Sequence, residues 1–244
     1  MAELQASQRD KVGGIILATE GSDFLNGKLE RLQTVYGRGV RHLQLVHYRA
    51  NNGAGDIQTE QPLYHGATPT GLDIVRGCNQ LGMVVDVAHA TFETVKQIAR
   101  VSSTPLILSH TSLAESPAPR SRRIGSEHAR LVADTGGVVG LWTNGKAFPD
   151  FRSFAQGVAE LAEVIGVAHV GIGTDLNGLL FPMPFTYTAF PDLVAELLDH
   201  FSGDELRKIV GANYLRVFEQ ATAPRTALEA APQAWAQAAT IVSQ

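Results

Sequence analysis

The sequence predicts an α/β protein folded as a (β/α)8 barrel, and three observations lead there. Short runs rich in Val, Ile and Leu, of the length of strands buried on both faces, alternate with amphipathic segments along the chain. Several of these runs finish in a residue able to do chemistry, as barrel strands do at their carboxyl ends. No dinucleotide-type phosphate loop follows any of them, since "GIGTDLNG" has the wrong glycine spacing, so an open doubly wound sheet is disfavoured.

In chain order, the strand-like runs are "GGIILATE", "VRHLQLVH", "GMVVDVAH", "TPLILSH", "GGVVGLW" and "AHVGIGTD", with a weaker seventh at "RKIVGAN". The helix-like segments between them are "SDFLNGKLERLQTVYGRG", "TPTGLDIVRGCNQLG", "TFETVKQIARVSS", "SEHARLVADTGG" and "SFAQGVAELAEVIG". Pro69 suits a first helical turn, where its missing N–H is not needed, and Thr91 is a suitable residue to start the third segment. A single domain over 1–244 is expected, with its core at about 13–219. Residues 220–244, Ala-rich with two prolines, read as a peripheral helix or flexible tail.

Composition narrows the partners. The 244 residues carry 44% hydrophobic and 18% charged residues and a net charge of −4, without the basic patch that nucleic acid requires. No run of 18 apolar residues suggests a membrane span, and "MAELQASQRDK" lacks an apolar signal-peptide core, so a cytoplasmic protein is expected. One cysteine, Cys78, excludes an intrachain disulfide framework and suits a reducing compartment. Placed among core-type helix neighbours, it reads as an inert buried thiol.

Five strand-like runs end in Glu20, His47, His89, His110 and Asp175, separated by 27, 42, 21 and 65 residues. Each alone has an ordinary structural explanation: a hydrogen-bonded histidine, a helix-favouring glutamate, a turn aspartate. Together at one barrel mouth they form a candidate metal site, because strand ends distant in sequence converge there. Gly171 and Gly173 share a face with Asp175 by the period-two rule, which predicts room beside that carboxylate. His42, His128 and His169 fall at a strand start or on helices, and His65 and His200 in a loop and a late helix. These five read as structural or solvated.

The motifs "TEGSDFL", "GVRHLQLVH", "LGMVVDVAH", "PLILSHTS", "RRI", "GGVVG", "HVGIGTDLNG" and "GANYLRVF", in this order over roughly residues 13–219, resemble the membrane dipeptidase (renal dipeptidase, M19) metallopeptidases. The resemblance implies a TIM-type barrel of the metallo-dependent hydrolase kind that cleaves dipeptides at a two-zinc centre. It implies that Glu20 bridges metals, that His89 and His110 are ligands, and that His47 contacts the scissile carbonyl. It further implies that Arg122 holds the substrate carboxylate, with Arg120 and Arg123 as alternatives, and that Asp175 lies near the substrate amine. Members begin their barrel with a strand ending in His-x-Asp, and none of the eight histidines here is followed by x-Asp. The first βα unit is therefore expected to be missing, and one divalent ion, zinc, is expected rather than a pair. The alternatives are a silent barrel binding an amino-acid-like ligand or a partner protein, or a mononuclear hydrolase of another amide, ester or lactone. An open "GGIILATE" edge further predicts a homo-oligomer, because unpaired strand edges invite pairing.

Overall fold

The computed structural model describes residues 6, 7, 9, 10, 12–49, 53–176, 178 and 185–223. Six parallel strands, β1 (Leu17–Thr19), β2 (Val40–Gln44), β3 (Val84–Asp86), β4 (Ile107–Thr111), β5 (Val138–Trp142) and β6 (Val170–Gly173), pair in sequence order. Helices α1 (Glu30–Gly37), α2 (Pro69–Leu81), α3 (Phe92–Ala99), α4 (Ser126–Ala133) and α5 (Phe151–Ile165) connect successive strands from β1 to β6. After β6 come α6 (Phe190–Leu197), α7 (Gly203–Arg207) and α8 (Asn213–Thr222). No helix among the described residues is long and apolar enough to cross a membrane.

Local chemistry sets the helix starts. Pro69 opens α2 behind a Thr68 cap whose hydroxyl accepts from Gly71 N–H, and Thr91 caps α3 by accepting from Thr94 N–H. Asp150 and Ser153 form a reciprocal capping box at the head of α5.

The strands divide their side chains between two faces, as the period of two requires. Leu43, Val85, Leu108 and Val139 join the larger core cluster with residues of the connecting helices. Val84, Ile107 and Val138 point the other way and pack on Val217, Phe218 and Ala221 of α8. The last helix thus covers the opposite face of the sheet.

Two expectations are corrected. The weak seventh run, "RKIVGAN", is helical: Lys208–Ala212 forms a π turn between α7 and α8. Ser202 and Glu205 form a capping box that starts the helical run, and Leu206, Ile209, Asn213 and Val217 are all buried at helical spacing. That period outweighs the strand-like composition. Among the described residues there are six strands, and their sheet runs from β1 to β6 without closing. Secondly, the room predicted at Gly173 is filled by backbone. β4 bulges between Leu108 and Thr111, and a Cβ on either Gly140 or Gly173 would lie 2.0 Å from the Ser109 carbonyl oxygen.

At the β1 edge, Ile15 is 86% and Leu17 51% exposed beside a groove of about 790 Å³ that also includes Tyr36 and Phe218. Of the tail segment 220–244, α8 accounts for residues up to Thr222, and residues 224–244 lie outside those described.

The close approach at β4 generates a stability prediction. Gly140→Ala should destabilise the fold by about 3 kcal/mol or more in urea unfolding, because the methyl meets backbone that cannot swing aside. Gly13→Ala, where a Cβ meets nothing within 4 Å, is the neutral control. Equal midpoints for the two variants would refute this account of the bulge.

His128 on α4 generates another. It packs edge-on against Phe92 with ring centroids 5.6 Å apart, and its Nε2 has no hydrogen-bond partner among the described residues. Burial pushes its pKa down from 6.5 to about 4. A depressed imidazole favours the fold above pH 6.5 and loses that contribution as pH falls toward 4, because the unfolded chain takes up the proton first. Relative to His128→Leu, the wild type should lose about 3 kcal/mol between pH 6.5 and 4 in urea titrations. Parallel pH profiles would show that this ring is not the group responsible.

Candidate metal centre

The carboxyl ends of the strands carry the site. Glu20 directly follows β1, His47 and His89 lie three residues beyond β2 and β3, His110 is within β4, and Asp175 is two beyond β6. Arg122 lies in the loop from β4 to α4. The structure gathers all six at one mouth.

Glu20 is the hub of the cluster. Its Oε1 lies 3.1 Å from His47 Nε2, 3.4 Å from His89 Nε2 and 3.6 Å from His110 Nε2. The His89 and His110 Nε2 atoms are 3.0 Å apart. Both rings are 7% exposed, whereas the Glu20 side chain is 42% exposed and faces the mouth. Residues Glu20, His47 and His89, and separately Glu20, His110 and Asp175, each bring ligand-type atoms within 4.8 Å of one another.

The electrostatics suit a cation. A hydrogen bond from His89, aided by the neighbouring imidazoles, holds the Glu20 carboxyl below its ordinary range. Burial lowers the pKa of His89 and, with the Arg122 charge, takes that of His110 to about 4. Near neutral pH these two rings are uncharged and have lone pairs to offer. Burial also brings Arg122 down to about 10, leaving it charged. Asp175 moves up, through burial and repulsion from Glu20.

The backbone at two of these positions is constrained. His89 has φ 68° and Asp175 φ 47°, left-handed values that cost a non-glycine residue about 1 kcal/mol or more. The loop after β2 holds the first in place: Gln58 N–H donates to the His89 carbonyl at 2.8 Å, and Ile57 bridges Ala90.

Of the three arginines Arg120, Arg122 and Arg123, Arg122 lies at the mouth. Its guanidinium donates to Gln58 Oε1 at 2.7 Å and to the His110 carbonyl at 3.2 Å, and lies 5.6 Å from the Trp142 ring centre. Arg123 instead donates to the Leu113 carbonyl, and Arg120 is exposed. The histidines set aside as structural are elsewhere: His42 bonds Asp86 and Tyr214, and His169 bonds the Gly137 carbonyl.

Sequence reasoning missed four residues that shape the site. Trp142, at the end of β5, donates its indole N–H to Asp175 at 3.1 Å. Gln58 receives Arg122, and Ser109 Oγ lies 2.8 Å from His110 Nδ1. Asp86 accepts backbone N–H bonds from Ala88 and Ser109. Burial pushes the Asp86 carboxyl up, but the His42 hydrogen bond and charge outweigh it and hold the pKa at about 2. Only Asp86 left a trace in the sequence, as the one polar residue in the run 83–88.

A family model described as membrane dipeptidase (peptidase family M19) matches residues 1–231. Dipeptidase aclJ of Aspergillus oryzae is 30% identical over 216 residues, covering 83% of this chain and 50% of that protein. Dipeptidase verJ of Clonostachys rogersoniana is 29% identical over 212 residues, 84% of this chain and 54% of its own. The chain spans about half the length of these curated relatives. Among solved structures, a metallo peptidase from Rhodobacter sphaeroides, liganded with a phosphinate mimic of the dipeptide L-Ala-D-Ala, matches with TM-score 0.79 at 22% identity, over 90% of this chain and 67% of that one. An amidohydrolase from Pseudomonas aeruginosa matches with TM-score 0.79 at 20% identity, over 91% and 77%. These two share the α/β fold of parallel strands alternating with helices. By the extent of the family match, the chain belongs to the membrane dipeptidase family, peptidase family M19.

Proposed function

We propose that this chain acts as a metal-dependent hydrolase of dipeptides, with one divalent ion held by Glu20, His89 and His110. The observation that carries the reading is the triangle of ligand-type atoms, with sides of 3.0, 3.4 and 3.6 Å. Nitrogen and oxygen ligands around a tetrahedral zinc at about 2.0–2.1 Å stand about 3.3 Å apart, so the donor set fits that ion in spacing and in chemistry. Neutral imidazoles and an ionised carboxylate are also the protonation states that ligation needs.

A bound divalent ion supplies Lewis acidity, acidifying water and polarising a peptide carbonyl. The remaining roles belong to side chains around it. His47, its Nε2 3.1 Å from Glu20 Oε1 and half-buried at the mouth, can donate to the substrate carbonyl oxygen as negative charge develops there. Arg122, preset by Gln58 and the His110 carbonyl, offers its remaining N–H groups to a substrate carboxylate. Asp175, anchored by Trp142 and with its pKa raised by burial and by Glu20, can pass a proton to the leaving amine. A small substrate bearing both an amine and a carboxylate matches this set. The setting proposed is the cytoplasm, supported by the lone buried Cys78, whose thiol burial pushes up to about 12.

The open arc of six strands favours a second reading, a barrel that binds an amino-acid-like ligand without turning it over. Zinc content and hydrolysis of a dipeptide panel separate the two. Protein purified without chelator should contain about one equivalent of zinc by elemental analysis, and a His89→Ala, His110→Ala double variant should lose it. Equal metal in both would remove the site. Asp175→Asn should cut dipeptide turnover by roughly 10²-fold or more while keeping the metal. Metal-loaded wild type that hydrolyses no dipeptide would favour the silent barrel.

The partner proposed for the β1 edge is a second copy of the chain, supported by the exposure of Ile15 and Leu17 on a strand that pairs only with β2 among the described residues. Sedimentation should show association that strengthens with concentration and is lost in an Ile15→Lys, Leu17→Lys variant. A wild type that stays monomeric at every concentration would exclude it.

A further inference from the structure

One residue joins the metal triangle to the arginine at the mouth. Gln58, in the loop between β2 and α2, donates its backbone N–H to the His89 carbonyl at 2.8 Å, and its side-chain Oε1 accepts from Arg122 Nη1 at 2.7 Å. Pairing sets its place along the chain. Ile57 forms an antiparallel bridge with Ala90, and the Asp56 carbonyl accepts from Thr91 N–H and from the Thr94 hydroxyl, each at 3.1 Å. Gln58, Ile57 and Asp56 therefore lie opposite His89, Ala90 and Thr91 in turn, the register of a short antiparallel ladder.

A guanidinium has only donors, so the Gln58 amide must turn its oxygen toward Arg122. The second hold on Arg122 is the His110 carbonyl, 3.2 Å from Nη2, and the Trp142 ring centre lies 5.6 Å from the guanidinium carbon. Arg122 is thus referenced to the backbones of both histidines, to His110 directly and to His89 through Gln58. Both acceptors are uncharged, so they orient the guanidinium and leave its charge for an anion. The result is a carboxylate clamp at a set offset from the His89 and His110 Nε2 atoms, themselves 3.0 Å apart. In a dipeptide the scissile carbonyl and the carboxylate are separated by one residue, at most about 3.6 Å of chain, and an extra methylene adds a bond of about 1.5 Å. On that scale the offset decides which carboxylate is reached.

We propose that Gln58 is the positioning residue that sets the span between the metal triangle and Arg122, and so selects substrates whose carboxylate is on the α-carbon directly after the scissile bond. The proposal rests on the dipeptidase reading and on Arg122 as the holder of the substrate carboxylate. Removing the Gln58 oxygen leaves the guanidinium on one backbone carbonyl, able to follow a carboxylate placed farther out. The bond from Gln58 to His89 comes from the backbone and survives a change of side chain, so metal binding is retained.

Three substrates read this span in the zinc-loaded enzyme. They are alanylalanine, alanyl-β-alanine, whose carboxylate is one methylene farther out, and alanylalanine amide, which has none. In Gln58→Ala, kcat/KM for alanylalanine should fall roughly ten- to a hundredfold, mostly through KM, while the amide stays close to wild type. The preference for alanylalanine over alanyl-β-alanine should shrink by about tenfold, with zinc content unchanged. In an Arg122→Met background, Gln58→Ala should cost nothing further, because the group it positions is gone. If Gln58→Ala does not fold, Gln58→Met, similar in length but without the acceptor, is read in the same way. Equal losses on all three substrates, an unchanged preference, or additive effects of Gln58→Ala and Arg122→Met would each overturn the proposal and leave the dipeptidase reading standing. A zinc-loaded wild type that hydrolyses none of the three would overturn the dipeptidase reading instead. Calorimetric binding of alanylalanine and its amide then decides the positioning role: a carboxylate preference that Gln58→Ala loses supports it, and a preference that is absent or unchanged overturns it.

Discussion

The arrangement of the site depends on one close approach, that of the Ser109 carbonyl to the backbones of β5 and β6. Side chains longer than hydrogen at Gly140 and Gly173 would occupy the place of that oxygen. Because both positions are glycine, β4 can bulge inward between Leu108 and Thr111. His110 then reaches His89 and Glu20 from within a strand, whereas the other site residues reach the mouth from loops. Steric exclusion is less compensable than a hydrogen bond, since backbone cannot rotate away, and this gives the glycines their weight in the fold.

Around that approach the charges are laid out in two tiers. The upper tier combines the Glu20 carboxylate, held below its ordinary range, with the buried His89 and His110 imidazoles and the buried Arg122 guanidinium. The lower tier is Asp86, a buried carboxylate whose bonds to His42, Ala88 and Ser109 compensate for its loss of water. Left-handed backbone at His89 and Asp175 lies on the upper tier only, at residues whose side chains must turn into the mouth.

Periodicity made most of the fold legible. Strand runs with a double-sided apolar pattern and helices announced by Pro69 and Thr91 depend on neighbours within four residues, and the structure forms them there. "RKIVGAN" misled because Ile and Val suit strands, while the burial period that decided the outcome extends from Leu206 to Val217. The strand-end residues stood out because barrel topology alone brings them together. Their supports did not: Gln58 and Arg122 are 64 residues apart, Trp142 and Asp175 33, and His42 and Tyr214 172. Such pairs exist only once the sheet has formed. The choice of Arg122 over its neighbours needed the same information, since "RSRR" is locally uniform. At Gly173 the open room expected beside Asp175 is absent, because the β4 backbone occupies it.

The loop between β2 and α2 bears on how molecules enter. Asp56, 1% exposed, accepts N–H bonds from Leu63, Tyr64 and Gly66 at 2.6, 3.0 and 2.8 Å, and its own carbonyl accepts from Thr91 at the start of α3. The same loop grips the His89 carbonyl through Gln58 and carries the anchor for Arg122. A segment tied at so many points cannot swing as a lid without releasing the groups it orients. This wall of the mouth is therefore a fixed frame, and widening it would displace the Arg122 guanidinium and the His89 backbone that it holds.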